Sequence, residues 1–256
     1  MASAPNLQLW GLSGIPRVRA GDDLAVLLAA ALRRADLELL EGDVVVVAQK
    51  IVSKAEGRAV PLSCVVPSAQ ALELAAEVQK DARLVELVLR ESTRIVRKAK
   101  DVLIVEHRRG YVMANAGIDQ SNVAAPGEEE WALLLPEDPD RSAQSLRSAL
   151  RAHCGAEVGV VISDSFGRPW RLGTVGVALG CAGLSSVADL RGQPDLFGRT
   201  LRVTMVGHAD EVAAAASLVM GQGAEGCPMV LVRGLARGGD LPAAALLRPP
   251  GEDLFR

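Results

Sequence analysis

Residues 157–180 read EVGVVISDSFGRPWRLGTVGVALG, and the architecture is read outward from them. Val158 to Ile162 is an apolar, β-branched run of the length of a buried strand. The run is expected to stop at Ser163-Asp164-Ser165 and to turn through Phe166-Gly167-Arg168-Pro169. A carboxylate and a hydroxyl at the end of a buried strand suit a divalent cation, because hard cations take oxygen ligands. Arg168 and Arg171 follow, and a guanidinium donates in a planar fork that matches phosphates and carboxylates. A strand, a capping Asp and a glycine turn is the plainer account of the same residues. Two further loops decide between them.

The first is Gly110 to Val123, in which strand-like residues run into AGIDQSNV with Asp119, Ser121 and Asn122. Such a turn can present a carboxylate to a metal and an amide to a ligand, or be an ordinary turn. The second is Met220-Gly221-Gln222-Gly223-Ala224-Glu225-Gly226-Cys227-Pro228, ahead of a strand over 229–232. Glycine lets backbone N–H groups approach a phosphate without a Cβ in the way, though a helix cap and turn would look alike. The loop fits neither GxxxxGK[ST] nor GxGxxG.

Upstream, Val44 to Val47 lacks polar alternation, as expected of a strand covered on both faces. Gln49-Lys50-Ile51-Val52-Ser53-Lys54 comes next, and Lys50 and Lys54 share a face if it is helical. Two ammonium groups there either meet a polyphosphate or stay solvated. Helices are expected over 24–40, 69–79, 82–89, 143–152 and 210–219, with Asp22 or Asp23 capping the first and Ser142 the fourth. Further strands are expected over 102–105 and 201–206. Glu128 to Glu130 read as a solvated acidic tip, and the proline-bearing segment 239–256 as a flexible or arm-like tail.

Composition narrows the function classes. The 256 residues are 49% hydrophobic and only 3% aromatic, which favours packed helix and sheet layers over a base-stacking nucleic-acid binder. A formal charge of -3 argues against a nucleic-acid or anionic-membrane surface. The start MASAPNLQLWGLSG lacks the pattern of a signal peptide, and the apolar run 24–32 is too short to span a bilayer. The four cysteines form no CxxC pair, so no zinc site or disulfide framework is expected, and a cytoplasmic location is.

Taken in order, GIPRV, VVVVAQKIVSKAEGR, ANAGIDQSNV, LLPEDPDRSA, VVISDSFGRPWRLGTVGVALG and VMGQGAEGCPMVLVRG form a series. This series resembles the coenzyme F420-0:L-glutamate ligase family (CofE-like, stand-alone form) from about Gly14 to Gly234. The resemblance implies an α+β, two-lobed fold with mixed sheets and flanking helices, a single ligase domain over 1–256, and an intimate homodimer. It implies GTP-dependent addition of L-glutamate to the carboxylate of a deazaflavin precursor, then of γ-linked glutamates. Magnesium or manganese, two ions in number, and potassium are implied as cofactors.

Carried over by position, the resemblance places Ile15, Pro16, Arg17 and Val18 on the nucleotide, with Gln49, Lys54 and Asn122. Gln49 stands where some members have serine. The resemblance makes Asp119, Asp164, Ser165 and Gln222 metal ligands, and Met220 to Cys227 (with Gly221, Gly223, Ala224, Glu225 and Gly226) the last nucleotide loop. Lys54 would add fixed charge at the phosphates, while Arg168 and Arg171 are candidates for gripping the acidic substrate. A ligase for another acidic metabolite, or a non-catalytic nucleotide-binding module, are the rival readings.

Overall fold

An unbroken valine run needs apolar cover on both sides, and the computed structural model supplies it. Residues 6–123, 129–235 and 239–253 are described. The chain begins with β1 (Gln8–Gly11), α1 (Leu24–Arg34), β2 (Val44–Ala48) and α2 (Gln49–Ala55). It continues through β3 (Ala59–Pro61), α3 (Ala69–Val78), α4 (Ala82–Arg90), β4 (Ser92–Ala99), β5 (Val102–His107), β6 (Val112–Ala114) and β7 (Trp131–Leu133). The last part holds α5 (Pro139–Cys154), β8 (Gly159–Arg168), β9 (Arg171–Ala182), β10 (Ala188–Asp189), β11 (Met205–Val206), α6 (His208–Met220) and β12 (Met229–Arg233). The architecture is α+β.

The central sheet runs β1-β12-β2-β8-β9. β2 and β8 are parallel, and the other neighbours are antiparallel. One face, with Val45, Val47, Val160, Ile162 and Leu231, packs against Leu28 and Leu32 of α1 and Leu146 and Leu150 of α5. The opposite face, with Val44, Val46, Val161, Val230 and Val232, packs against Ala209, Val212, Ala213 and Ala216 of α6. Each valine so buried stabilises the fold by about 1.5–3 kcal/mol. That double cover is why the run shows no alternation.

β9 approaches both helical layers closely. A Cβ built on Gly176 would lie 2.4 Å from the Ala213 carbonyl oxygen of α6, and one on Gly180 would lie 2.1 Å from that of Pro139 at the start of α5. Leu179 falls between them, where the pairing jumps from Ile162–Gly180 to Ser163–Ala178. This β-bulge leaves one residue of β9 without a partner and turns the strand.

Between β3 and β7, which pair with each other, the chain makes an excursion with its own apolar centre. Leu74 and Val78 of α3 and Val85 and Val88 of α4 pack on Leu103 and Val105, on one face of the antiparallel sheet β4-β5-β6. The opposite face of that sheet looks toward the candidate site.

Several expectations are corrected. β8 does not end at Ser163; it continues to Arg168 and pairs with β9 as far as Arg171, so Pro169-Trp170 makes the turn. The helix expected over 24–40 ends at Arg34, since the chain takes a positive φ of 54° at Asp36. Asp23 caps it, accepting from the N–H groups of Ala25 and Val26 at 2.8 and 3.2 Å. α5 starts earlier than expected, at Pro139, with Asp138 rather than Ser142 as its cap. Proline suits a first helical turn, where its missing N–H has no partner to lose. Of the strand expected over 201–206 only Met205–Val206 forms, because Val203 is exposed and finds no neighbouring strand.

Of the expected acidic tip, Glu128 lies outside the described residues, Glu130 pairs with Arg83 at 2.7 Å, and Glu129 accepts from the Ser63 hydroxyl. Within the segment expected to form a tail, residues 254–256 also lie outside the described residues. Asp240 accepts from the Gly183 N–H at 2.8 Å, and the buried Ala243 donates its N–H to Asp140 at 2.7 Å.

Candidate active site

The parallel pair sets the site. β2 and β8 run in register with Ala48 beside Ser163, so the next residues, Gln49 and Asp164, stand side by side where β2 ends and the parallel pairing stops, β8 running on against β9 alone. Open sheets bind ligands at that end of their parallel strands. A cleft of about 1200 Å³ opens there.

All of the candidate site residues named from the sequence line this one cleft. Ile15, Pro16, Arg17 and Val18 come from the segment after β1, and Gln49 and Lys54 from α2. Asp119 and Asn122 come from the loop after β6, and Asp164, Ser165, Arg168 and Arg171 from the β8–β9 hairpin. Met220 to Cys227 close it from the end of α6.

Asp164 keeps the alternation of Val160 and Ile162, and so faces α2 rather than α6. Burial pushes its carboxyl up to about 6. The Ser165 N–H, the Lys50 ammonium and the Gln49 side chain work against that rise, while the charge of Asp119 adds to it. Gln49 is itself buried, and its Oε1 accepts from the Ser53 hydroxyl at 3.0 Å. That bond orients the amide beside Asp164.

Asp119 is pinned to β7 by two backbone hydrogen bonds with Leu133, of 3.1 and 2.8 Å. Its Oδ1 accepts from the Ser121 N–H at 2.7 Å, closing a local turn, and its Oδ2 lies 2.6 Å from Lys50 Nζ. Burial alone would raise this carboxyl, but Lys50 and the Ser121 N–H hold it below the usual range. Lys50 also donates to the Ser121 hydroxyl at 2.6 Å, and Lys54 donates to the Asn122 carbonyl at 2.6 Å. Burial, and then the charges of Lys50 and Arg17, lower the Lys54 pKa. Three cations crowd the inner cleft.

The glycine-rich loop gathers its amides on one of its own carboxylates. Gly223 N–H donates to Glu225 Oε2 at 2.7 Å, and the amides of Glu225, Gly223 and Gln222 together hold that carboxyl below its usual range. A Cβ on Gly221 would lie 2.2 Å from the Glu225 carboxyl carbon. Converging backbone N–H groups of this kind accept anions.

Among the described residues no group of three or more His, Cys, Asp and Glu gathers. The available donors are the carboxylates Asp119 and Asp164 with the neutral oxygens of Ser165 and Gln222. An oxygen-only set fits magnesium or manganese rather than zinc, and its short count leaves positions for further oxygen ligands.

Residues 14–234 match the sequence model of F420-0:Gamma-glutamyl ligase. The chain belongs to that family. Among its relatives, the coenzyme F420:L-glutamate ligase of Methanothermobacter thermautotrophicus is 48% identical over 253 residues, 98% of this chain and 99% of the relative. The enzyme of that name from Methanopyrus kandleri is 47% identical over 261 residues, the whole of both chains. That from Methanocaldococcus jannaschii is 41% identical over 217 residues, 84% of this chain and 85% of its own. Against the family's expected site set, Lys50 and Ser121 are additions. The i, i+4 spacing of Lys50 and Lys54 signals the first, whereas only the folded loop brings Ser121 to it.

Proposed function

We propose that this member of the F420-0:γ-glutamyl ligase family joins L-glutamate to F420-0, and then adds further glutamates through γ-linkages. GTP is the energy source, and GDP and phosphate are released. The observation that carries this reading is the meeting of Arg17, Lys50 and Lys54 with Asp119 and Asp164 in one cleft. Surplus positive charge awaits an anionic ligand, and paired carboxylates await a cation.

A carboxylate does not condense with an amine unaided, because oxide is a poor leaving group. An oxygen of the acceptor carboxylate attacks the γ-phosphorus of GTP, the bond to the β,γ-bridging oxygen breaks, and GDP departs. The glutamate amine then attacks the carbonyl carbon of the acyl phosphate, loses a proton, and expels inorganic phosphate. Lys54 and Lys50 hold charge against the phosphate oxygens, and the amides of the glycine-rich loop become donors to phosphate once they exchange the Glu225 carboxylate for it. Arg168 and Arg171, on the hairpin, grip the acidic acceptor. Asp119, Asp164, Ser165 and Gln222 would hold two magnesium or manganese ions, which supply charge neutralisation between the two anionic reactants.

We also infer a two-lobed subunit acting as a homodimer. Support comes from the separate apolar centre of the excursion and from Leu196, Phe197 and Val203, which are 99%, 96% and 86% exposed. Apolar side chains bared to that degree mark association surfaces.

The test is incubation with GTP, manganese, L-glutamate and F420-0, with mass spectrometry for glutamyl increments. GDP without a glutamyl product points to another acceptor. Failure of metal-dependent GTP binding defeats the reading outright.

A further inference from the structure

The outer half of the cleft differs in chemistry from the inner half. Its floor is the open face of β4-β5-β6, where Ile104, Val112 and Ala114 line the cleft. Residues opposite one another in antiparallel strands share a face. Arg97 pairs with Ile104, which pairs with Ala114, so these three form one row across the sheet. Arg94 pairs with Glu106, which pairs with Val112, and these form the next row. With strands about 4.8 Å apart, three of them make a plane about 10 Å wide.

Val112 is 39% exposed and Ala114 is exposed, although the reverse face of the sheet is buried, Leu103 and Val105 against α3 and α4 and Met113 against Leu135 and Leu179. Leu172, on the hairpin that bounds this half of the cleft, is 98% exposed. Charge on this face is nearly cancelled, since Arg94 Nε lies 2.7 Å from Glu106 Oε2. Arg97 is the exception, making no ion pair among the described residues.

We propose that this face is the subsite for the apolar body of the acidic acceptor, laid flat on Ile104, Val112 and Ala114 with Arg97 at its rim. The inference rests on the ligase reading above and extends it to residues outside the phosphate and metal machinery. Continuity selects the occupant. The floor runs on from the aspartates within a single cleft, so an acceptor whose carboxylate reaches Asp119 and Asp164 has its remainder over this strip. Shape and charge agree. A flat sheet face takes a planar, fused-ring body, and a guanidinium beside it favours both a π-face and an anion.

The test uses the full chain and measures equilibrium binding of F420-0 and, separately, of GTP with manganese. Val112→Asp places a charge in the strip and should weaken F420-0 binding about tenfold, while GTP affinity stays within about twofold. Arg97→Gln should weaken it about threefold with the same selectivity. Val112→Ser, milder for the fold, should fall between wild type and Val112→Asp.

Variants that bind F420-0 as the wild type does, in a protein that turns it over, overturn the subsite and leave the ligase reading standing. A change in oligomeric state at unchanged F420-0 affinity also overturns it, assigning the face to a second copy of the chain. A wild-type protein that does not bind F420-0 defeats both.

Discussion

The hydroxyl of Tyr111 donates to the carbonyl of Leu179 at 2.8 Å, and Leu179 is the bulged residue at which β9 slips against β8. The excursion is thereby fastened to the central sheet at the bulge. Burial raises the phenol's pKa, so the group stays a donor across the physiological range. Tyr111→Phe keeps the ring and leaves that acceptor buried; it should cost about 1–2 kcal/mol in urea unfolding. No loss of stability would mean that water replaces the bond.

Asp164 makes stability fall with rising pH. Its carboxyl titrates at 3.8 when unfolded and at about 6 in the cleft. Below the lower value it is neutral in both states, whereas above the upper one folding must bury a charge. Stability should therefore drop by about 1–3 kcal/mol between pH 4 and 6. Asp164→Asn should remove this drop, melt higher than wild type at pH 8, and lose ligase activity by about a hundredfold or more. Manganese should raise the melting temperature of the wild type and not of this variant.

Lys54→Ala removes one of three crowded cations and should weaken GTP binding by about tenfold to a hundredfold, the range for a charge-assisted contact. Titration calorimetry reads it directly. Lys50→Met acts differently, because it frees Asp119 from its 2.6 Å partner and should raise that carboxyl's pKa. Equal GTP affinity in both variants and the wild type would show that the phosphates lie elsewhere.

Arg168→Ala and Arg171→Ala should each raise the KM for the acidic acceptor about tenfold, with little change in that for GTP. Wild-type turnover and acceptor affinity in both would remove these arginines from the reaction.

Much of this arrangement was legible in the sequence wherever local composition decides it. Val44 to Val47 and Val158 to Ile162 announce strands covered on both sides because nothing polar interrupts them. Their parallel register then brings Gln49 beside Asp164. The extension of β8 past Asp164 was not legible, because Ser-Asp-Ser and Phe-Gly look like a turn until a second strand supplies partners. Pairing with β9 outweighs that local preference. Lys50 was visible as half of a helical pair, but its partnership with Asp119 spans 69 positions of chain and depends on β7 holding the loop. The open face of β4-β5-β6 was hidden for another reason. In sequence Arg94, Arg97, Lys98 and Lys100 are a basic cluster that suits a solvated face or an anionic substrate alike, and only pairing shows that Glu106 balances Arg94.

The extra residue at Leu179 has a consequence for β9 as a whole. Positions of equal parity in a plain strand look the same way, yet Gly176 meets α6 and Gly180 meets α5. The bulge works as a half-twist in a ribbon, letting two glycine notches serve opposite helices. Deleting one residue there would restore uniform alternation and drive a side chain against a helix carbonyl. The spacing between these glycines is therefore as binding on the sequence as the glycines themselves.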